Sequence, residues 1–302
     1  MSTRATVARG ETSLRQLELL VLRKLDGLLQ GQHQGLVPGG GSEPGDGRPY
    51  EAGDDVRRMD WNLTARSNAP HIRQTIADRE LETWLVVDGS ASLDFGTTAC
   101  EKRDLARAAA AAFGFLASRD GNRVGGVLFG ADDPTVLPPR SGRAPLLALL
   151  HRVERRPRHP EPVGSGHRQS LADVLRHVRL TARRRGLVVV ISDLLDETDW
   201  PRELRALALR HDVVVAEVRD PREHALPDVG LLMLVDPETG RRVEVQTANR
   251  KVRERFEAAA RARLGERARA VRAAGASHLV LSTDRDWLLD VVRFVGARRR
   301  RR

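Results

Sequence analysis

The sequence predicts an α/β protein with a doubly wound, mainly parallel sheet, preceded by an N-terminal helix and an irregular or β extension. From residue 84 onward, short apolar runs alternate with segments in which apolar residues recur at helical spacing. Strands that are apolar on both faces are typical of parallel sheets covered by helices on both sides. The predicted strands are Trp84–Val87, Val124–Phe129, Leu187–Ile191, Val213–Val218 and His278–Leu281.

Amphipathic helices are predicted between these strands. Apolar residues repeat on one helical face in Leu105–Leu116, Leu171–Val178 and Leu288–Val295. The runs Leu231–Val235 and Val243–Gln246 are separated by turn residues and predict an inserted hairpin. A long helix is expected to begin at Asn249 and to end near Gly275.

The first 80 residues have a different organisation. Glu11–Gln30 has the apolar spacing of a helix, and the Gly- and Pro-rich stretch Gly35–Gly47 predicts a loop. A polar block, Tyr50–Arg66, then precedes a short strand expected at Ile72–Ile76. We therefore expect an N-terminal segment at 1–80, an α/β domain at 81–297 and a frayed basic tail at 298–302.

Composition limits the class of protein. A chain of 302 residues can bury a full core, and its net charge of +10 favours acidic partners. The single cysteine, Cys100, excludes an intramolecular disulfide framework. No apolar stretch approaches the roughly 20 residues of a membrane-spanning helix, and no signal peptide is recognisable. We expect a cytoplasmic protein.

Oxygen-bearing side chains follow two of the predicted strands. Asp88, Ser90 and Ser92 come directly after the first strand, and Asp193 follows the strand that ends in Ser192. Ligands of parallel sheets bind at the carboxyl ends of strands, and carboxylate and hydroxyl oxygens suit Mg²⁺. The pattern predicts a Mg²⁺ or Mn²⁺ site. Aspartates are also common where strands meet loops, so a purely structural role is the alternative.

Two motifs resemble known families. Asp-x-Ser-x-Ser after the first strand, with Ser-Asp closing a later one, resembles the metal-ion-dependent adhesion site of von Willebrand factor A domains. The upstream block resembles the signature of the bacterial "domain of unknown function 58" family, which precedes an A-domain-like segment. The residues that carry this second resemblance are Tyr50, Gly53, Asp54, Asp55, Arg57, Asp60, Trp61 and Arg66.

The resemblance implies a von Willebrand factor A-like, Rossmann-like fold and a role for particular residues. It assigns the metal to Asp88, Ser90, Ser92 and Asp193. Gln169 stands where the family usually has a threonine and is the fifth candidate ligand, through its amide oxygen. Neighbouring Ser170 is favoured as a helix N-cap, because Asp173 follows three residues later, as in a capping box. The implied partner is a MoxR-type AAA+ ATPase, with this chain as an adaptor or co-chaperone.

The signature block has two interpretations. It is either a docking surface or a charge-paired structural motif, with arginines holding the carboxylates and Trp61 packed against the sheet domain. We favour the structural interpretation.

We therefore expect a non-enzymatic protein-interaction module. One alternative is a metal-dependent hydrolase, a phosphatase or nuclease, that uses Asp88 or Asp193. The other is an arginine-rich nucleic-acid-binding protein that uses Arg183–Arg185 and the terminal arginines. Few aromatic residues are available for base stacking, which disfavours nucleic acid.

Overall fold

The computed structural model describes residues 16–17, 19–21, 23, 48–51, 56, 59–67, 69–72, 81–119, 121–130, 134–156, 169–236 and 239–300. The loop predicted at Gly35–Gly47 lies outside these residues. So do Gly53, Asp54, Asp55 and Arg57 of the signature block.

Strands and helices alternate along most of the described chain. The strands are β1 (Arg48–Pro49), β2 (His71–Ile72), β3 (Glu82–Asp88), β4 (Arg123–Phe129), β5 (Thr135–Arg140), β6 (Gly186–Ser192), β7 (Asp212–Arg219), β8 (Leu231–Val235), β9 (Arg242–Gln246) and β10 (Ser277–Ser282). The helices are α1 (Trp61–Ser67), α2 (Lys102–Arg119), α3 (Arg143–Glu154), α4 (Leu171–Thr181), α5 (Trp200–Ala208), α6 (Arg250–Ala273) and α7 (Trp287–Arg300).

Six strands form the central sheet in the order β10-β7-β6-β3-β4-β5. Every neighbouring pair is parallel except β4 and β5, which are antiparallel. This architecture confirms the predicted doubly wound α/β class, and each of the five predicted parallel strands is present. The innermost strands, β3 and β6, are buried along their whole length.

Helices cover both faces of the sheet because successive strand residues point to opposite sides. Leu85 and Val87 of β3 belong to one core cluster, whereas Trp84 and Val86 belong to the other. The first cluster contains the alanine-rich α2 and α7; the second contains α4 and α5. The two clusters together bury the apolar faces of these four helices.

The edge strand β5 was not predicted from the sequence. It contains Pro138 and Pro139, which lack backbone N–H donors and therefore indicate a loop in the sequence. At the edge of the sheet only one side of the strand must pair, so prolines are tolerated there.

The N-terminal helix predicted at Glu11–Gln30 is present in its described residues, which are helical. Leu17 and Val21 are fully buried in the same core cluster as α2, whereas Leu19 and Leu20 are exposed. Of the short strand predicted at Ile72–Ile76, only Ile72 is described, and it lies in β2, which pairs antiparallel with β1. Residues 73–80 lie outside the residues that the structure describes.

The C-terminal predictions are largely confirmed. β8 and β9 form the expected antiparallel hairpin, and the Asn249 side chain caps α6 by accepting from the Lys251 amide. Gly275 has a φ of 81° just beyond the helix end, which a glycine adopts without strain.

The prediction of a frayed tail that begins at residue 298 is wrong for its first residues, because α7 continues to Arg300 and Arg298 pairs with Asp212. No helix in the described part of the chain is long and apolar enough to cross a membrane.

Candidate functional site: a carboxylate and hydroxyl cluster at the sheet edge

The site lies where the adjacent parallel strands β3 and β6 end. Asp88 is the last residue of β3, and Ser192 is the last residue of β6. Because the two strands run in the same direction, Asp88 and Asp193 emerge at the same edge of the sheet. Ser90 precedes a short 3₁₀ helix, Ala91–Asp94, that contains Ser92.

Hydrogen bonds connect these side chains into one cluster. The Asp88 carboxylate accepts from the Ser90 amide at 2.8 Å and from the Ser192 hydroxyl at 2.6 Å. The Ser90 and Ser92 hydroxyl oxygens are 3.0 Å apart, and Ser92 donates to Asp193 Oδ2 at 2.7 Å. The structure therefore brings together four of the five residues predicted to bind metal.

Gln169, the fifth predicted ligand, is not joined to them by any hydrogen bond within the described residues. Its neighbour Ser170 caps α4, as expected: its hydroxyl oxygen accepts from the Asp173 amide at 3.1 Å and its hydroxyl donates to Asp173 Oδ2 at 2.7 Å. This geometry assigns Ser170 to helix capping.

A lysine that sequence reasoning missed completes the cluster. Lys102, the first residue of α2, has a side chain with 0% exposure. Its ammonium donates to Asp193 Oδ2 at 2.8 Å and also pairs with Glu223. Burial alone would lower the pKa of Lys102, but Asp193 and Glu223 outweigh it and raise the pKa above its usual value. The ammonium is therefore charged.

The sequence did contain a signal for Lys102. The chain has only three lysines among its 51 basic residues, and a lysine supplies a compact point charge that an arginine fork does not. A lysine in a chain that otherwise uses arginine therefore deserves a specific explanation.

Asp88 is the carboxylate of the cluster that lacks a cation. Burial, followed by repulsion from Asp193, raises the pKa of Asp88 to about 6, although hydrogen bonds from Ser192 and Ser90 oppose the shift. Within the described part of the chain, no basic side chain forms an ion pair with Asp88. Keeping the Asp88 carboxylate ionised in the folded protein therefore costs free energy.

A second layer of hydrogen bonds supports Glu223. Glu223 accepts from the backbone amide of Asp220, forming a capping box on a short 3₁₀ helix, Pro221–Glu223. Asp220 in turn accepts from the amide and hydroxyl of Thr97, at 2.8 and 2.6 Å, and from the Thr283 hydroxyl at 2.7 Å. Burial acts to raise the pKa of Asp220, but these hydrogen bonds together outweigh it and lower the pKa below its usual value. Asp220 thus has a structural role.

The backbone beside Asp193 is strained. Leu194 has a φ of 56°, in the left-handed region that a leucine rarely adopts, and its side chain is buried. The Leu194 amide donates to the Ser192 hydroxyl oxygen at 3.0 Å, and the Leu195 amide donates to Asp193 Oδ1 at 3.2 Å. Such strain persists only where surrounding contacts enforce it.

The oxygens of Asp193 are already occupied by hydrogen bonds, which disfavours direct binding of a divalent ion. Both oxygens of Asp193 already accept hydrogen bonds, one of them from the Lys102 ammonium. An ion bound by Asp193 within about 5 Å of that ammonium would meet a repulsion of about 7 kcal/mol at an effective dielectric constant of about 20. In this conformation the residues do not fit a divalent ion bound directly by Asp193, and the Mg²⁺ or Mn²⁺ site stays a prediction.

A charged cleft opens beside the cluster. Asp88, Gly89 and Ser90 line it together with Arg103 and Arg156. The Arg156 guanidinium lies directly over Gly89, since a Cβ on that glycine would be 2.1 Å from its Nη1 atom. Arg103 pairs with Asp94 at 2.7 Å and donates to the Arg156 carbonyl at 2.6 Å.

Trp61 of the signature block is 70% exposed, and no residue of α1 is buried. The expectation that Trp61 packs against the sheet domain is therefore wrong, because the described chain leaves α1 uncovered.

Asp60 of the signature block has a local structural role: its carboxylate accepts from the Asn62 and Leu63 amides at 3.1 Å and starts the helix. Arg66 is exposed, and the Tyr50 amide donates to the Pro70 carbonyl.

A doubly wound sheet with this cluster at the carboxyl ends of two central strands defines a von Willebrand factor A-like α/β protein. The family model described as protein of unknown function DUF58 matches residues 46–266. The chain belongs to this family.

Relatives in mycobacteria are similar over most of the chain. The uncharacterized protein Rv1480 of Mycobacterium tuberculosis is 53% identical over 290 residues, covering 95% of this chain and 89% of that protein. The uncharacterized protein MAV169 of Mycobacterium avium is 45% identical over 166 residues, covering 55% and 95% respectively.

Solved structures include similar chains at low identity. The conserved hypothetical protein BatB from Bacteroides thetaiotaomicron is 16% identical with a TM-score of 0.44, covering 73% of this chain and 99% of BatB. The SpRpn10 VWA domain is 13% identical with a TM-score of 0.40, covering 70% and 93% respectively.

Proposed function

We propose that this protein is a non-enzymatic adaptor or co-chaperone that binds a MoxR-type AAA+ ATPase. The A-domain-like fold and the family membership support a protein-interaction module. The ATPase partner follows from the family resemblance of the signature block.

The exposure of Trp61 is the observation that carries the interaction role. A large aromatic side chain that is 70% exposed contributes little to the packing of the described structure. Tryptophan is enriched among the residues that dominate binding energy at protein interfaces. Its place in the block that best identifies the family favours docking over the structural interpretation.

The cluster at the sheet edge is suited to a recognition role. Asp193 is engaged by Lys102, Ser92 and the Leu195 amide, and Asp88 accepts from Ser90 and Ser192. Both carboxylates thus hold the loops in place, which suits a rigid binding surface.

The test is binding of the purified chain to a MoxR-type AAA+ ATPase from the same organism, measured without nucleotide, with ADP and with a non-hydrolysable ATP analogue. Trp61→Ala should weaken binding at least about tenfold, a loss that corresponds to roughly 1.4 kcal/mol. The matched control is Leu209→Ala, because Leu209 is 79% exposed and lies at the end of α5. It should bind like the wild type.

Absence of binding in every nucleotide state overturns the adaptor proposal. Phosphatase or nuclease turnover that Asp88→Ala abolishes supports the hydrolase alternative. Tight, salt-sensitive binding of nucleic acid that Asp88→Ala leaves unchanged supports the arginine-rich alternative.

A further inference from the structure

We propose that Lys102 is the resident cation of the cluster, so that the site keeps its geometry without a divalent metal ion. The inference concerns the cluster itself and holds whatever partner the protein binds.

The position of Lys102 is unusual for a lysine. It opens α2, where the helix dipole favours acidic side chains, and it is fully buried. Long cationic side chains normally bury only their stems and keep the charged end in water. The burial of this ammonium is therefore explained by its two carboxylate partners, Asp193 and Glu223.

Lys102 contacts the part of the site that a metal would organise. Asp193 Oδ2 accepts from both the Lys102 ammonium and the Ser92 hydroxyl, and the Ser92 oxygen is in turn 3.0 Å from that of Ser90. A continuous chain of contacts thus runs from the ammonium to the serine at the cleft. Through Asp193, Lys102 positions both hydroxyls.

The first test is Mn²⁺ binding by the wild-type protein, followed by electron paramagnetic resonance. We expect no saturable binding at millimolar Mn²⁺. Saturable binding that Asp88→Ala abolishes overturns the inference, and this measurement requires no variant at Lys102.

The second test compares Lys102→Met with Lys251→Met in the presence of EDTA. Lys251 lies in α6 with an exposed side chain, so its replacement removes the same charge without touching the cluster. Lys102→Met should lower the melting temperature by roughly 10 °C, because it leaves Asp193 buried and unpaired. Lys251→Met should melt like the wild type.

Mg²⁺ or Mn²⁺ should restore part of the stability of Lys102→Met, because Asp193 then lacks its own cation. A Lys102→Met protein with the wild-type melting temperature overturns the inference. ATPase binding has no part in these measurements, so failure here is distinguishable from failure of the adaptor proposal.

Discussion

Replacing Asp88 with asparagine tests whether the charge of this carboxylate destabilises the folded protein. Asparagine keeps one oxygen, which can accept from the Ser90 amide as Asp88 Oδ1 does, and its NH2 group can donate to the Ser192 hydroxyl oxygen in place of the bond that Asp88 Oδ2 accepts, but it carries no charge. Repulsion from Asp193 and the cost of burying an ionised group should both disappear. We therefore expect Asp88→Asn to be more stable than the wild type at neutral pH.

The size of the effect follows from the pKa. Burial and Asp193 raise the pKa of Asp88 from 3.8 to about 6, and each pKa unit corresponds to about 1.4 kcal/mol, which gives at most about 3 kcal/mol. The folded state holds this proton more tightly than the unfolded state does. The resulting stabilisation is complete below pH 3.8 and is lost as the pH rises through about 6.

Urea denaturation followed by tryptophan fluorescence, in EDTA, gives the required free energies of unfolding. The advantage of Asp88→Asn should be about 3 kcal/mol at most near pH 7.5 and should shrink towards pH 4. Asp199→Asn is the matched control, since Asp199 is exposed and makes no side-chain capping bond. An advantage that stays the same at every pH would refute the electrostatic explanation.

Three further predictions concern the backbone, a helix cap and the exposed tryptophan. Gly186→Ala should abolish soluble folded protein in size-exclusion chromatography, because a Cβ would lie 1.9 Å from the Glu82 carbonyl oxygen. The control Gly296→Ala should fold normally, because a Cβ on Gly296 would meet no atom within 4 Å. Ser170→Ala should lower the free energy of unfolding by about 1 kcal/mol in urea, through loss of the α4 cap. Trp61→Ala should unfold within about 0.5 kcal/mol of the wild type, and a larger loss would show that Trp61 is structural.

Much of the fold could be read from local pattern. The strands β3 and β6 are continuous apolar runs, and helices such as α4 repeat apolar residues every three or four positions. These patterns reflect burial of one face or of both, which is a local property of each element. β5 was not predicted because prolines argue against a strand. They are tolerated in β5 because it lies at the edge of the sheet, and a strand's position in a sheet depends on pairing with distant parts of the chain.

The candidate site was predictable only in part. Asp88 and Asp193 could be paired from sequence because parallel strands bring their carboxyl ends to one edge. The contact between Lys102 and Glu223 could not be predicted from the sequence. Lys102 lies on a helix, and Glu223 follows a different strand more than 100 residues further along the chain. Their meeting depends on how α2 packs against the sheet.

The sequence by itself determined the α/β class, the strand-end position of the acidic and hydroxyl residues and the family signature. Each of these depends on periodicity or on residues close together along the chain. Only the tertiary structure decided which charges meet: that Lys102 is buried against Asp193, that Asp88 has no cation in the described chain and that Trp61 faces solvent. The physical reason is that burial and electrostatic pairing are set by neighbours in space, which helix packing selects from distant parts of the chain.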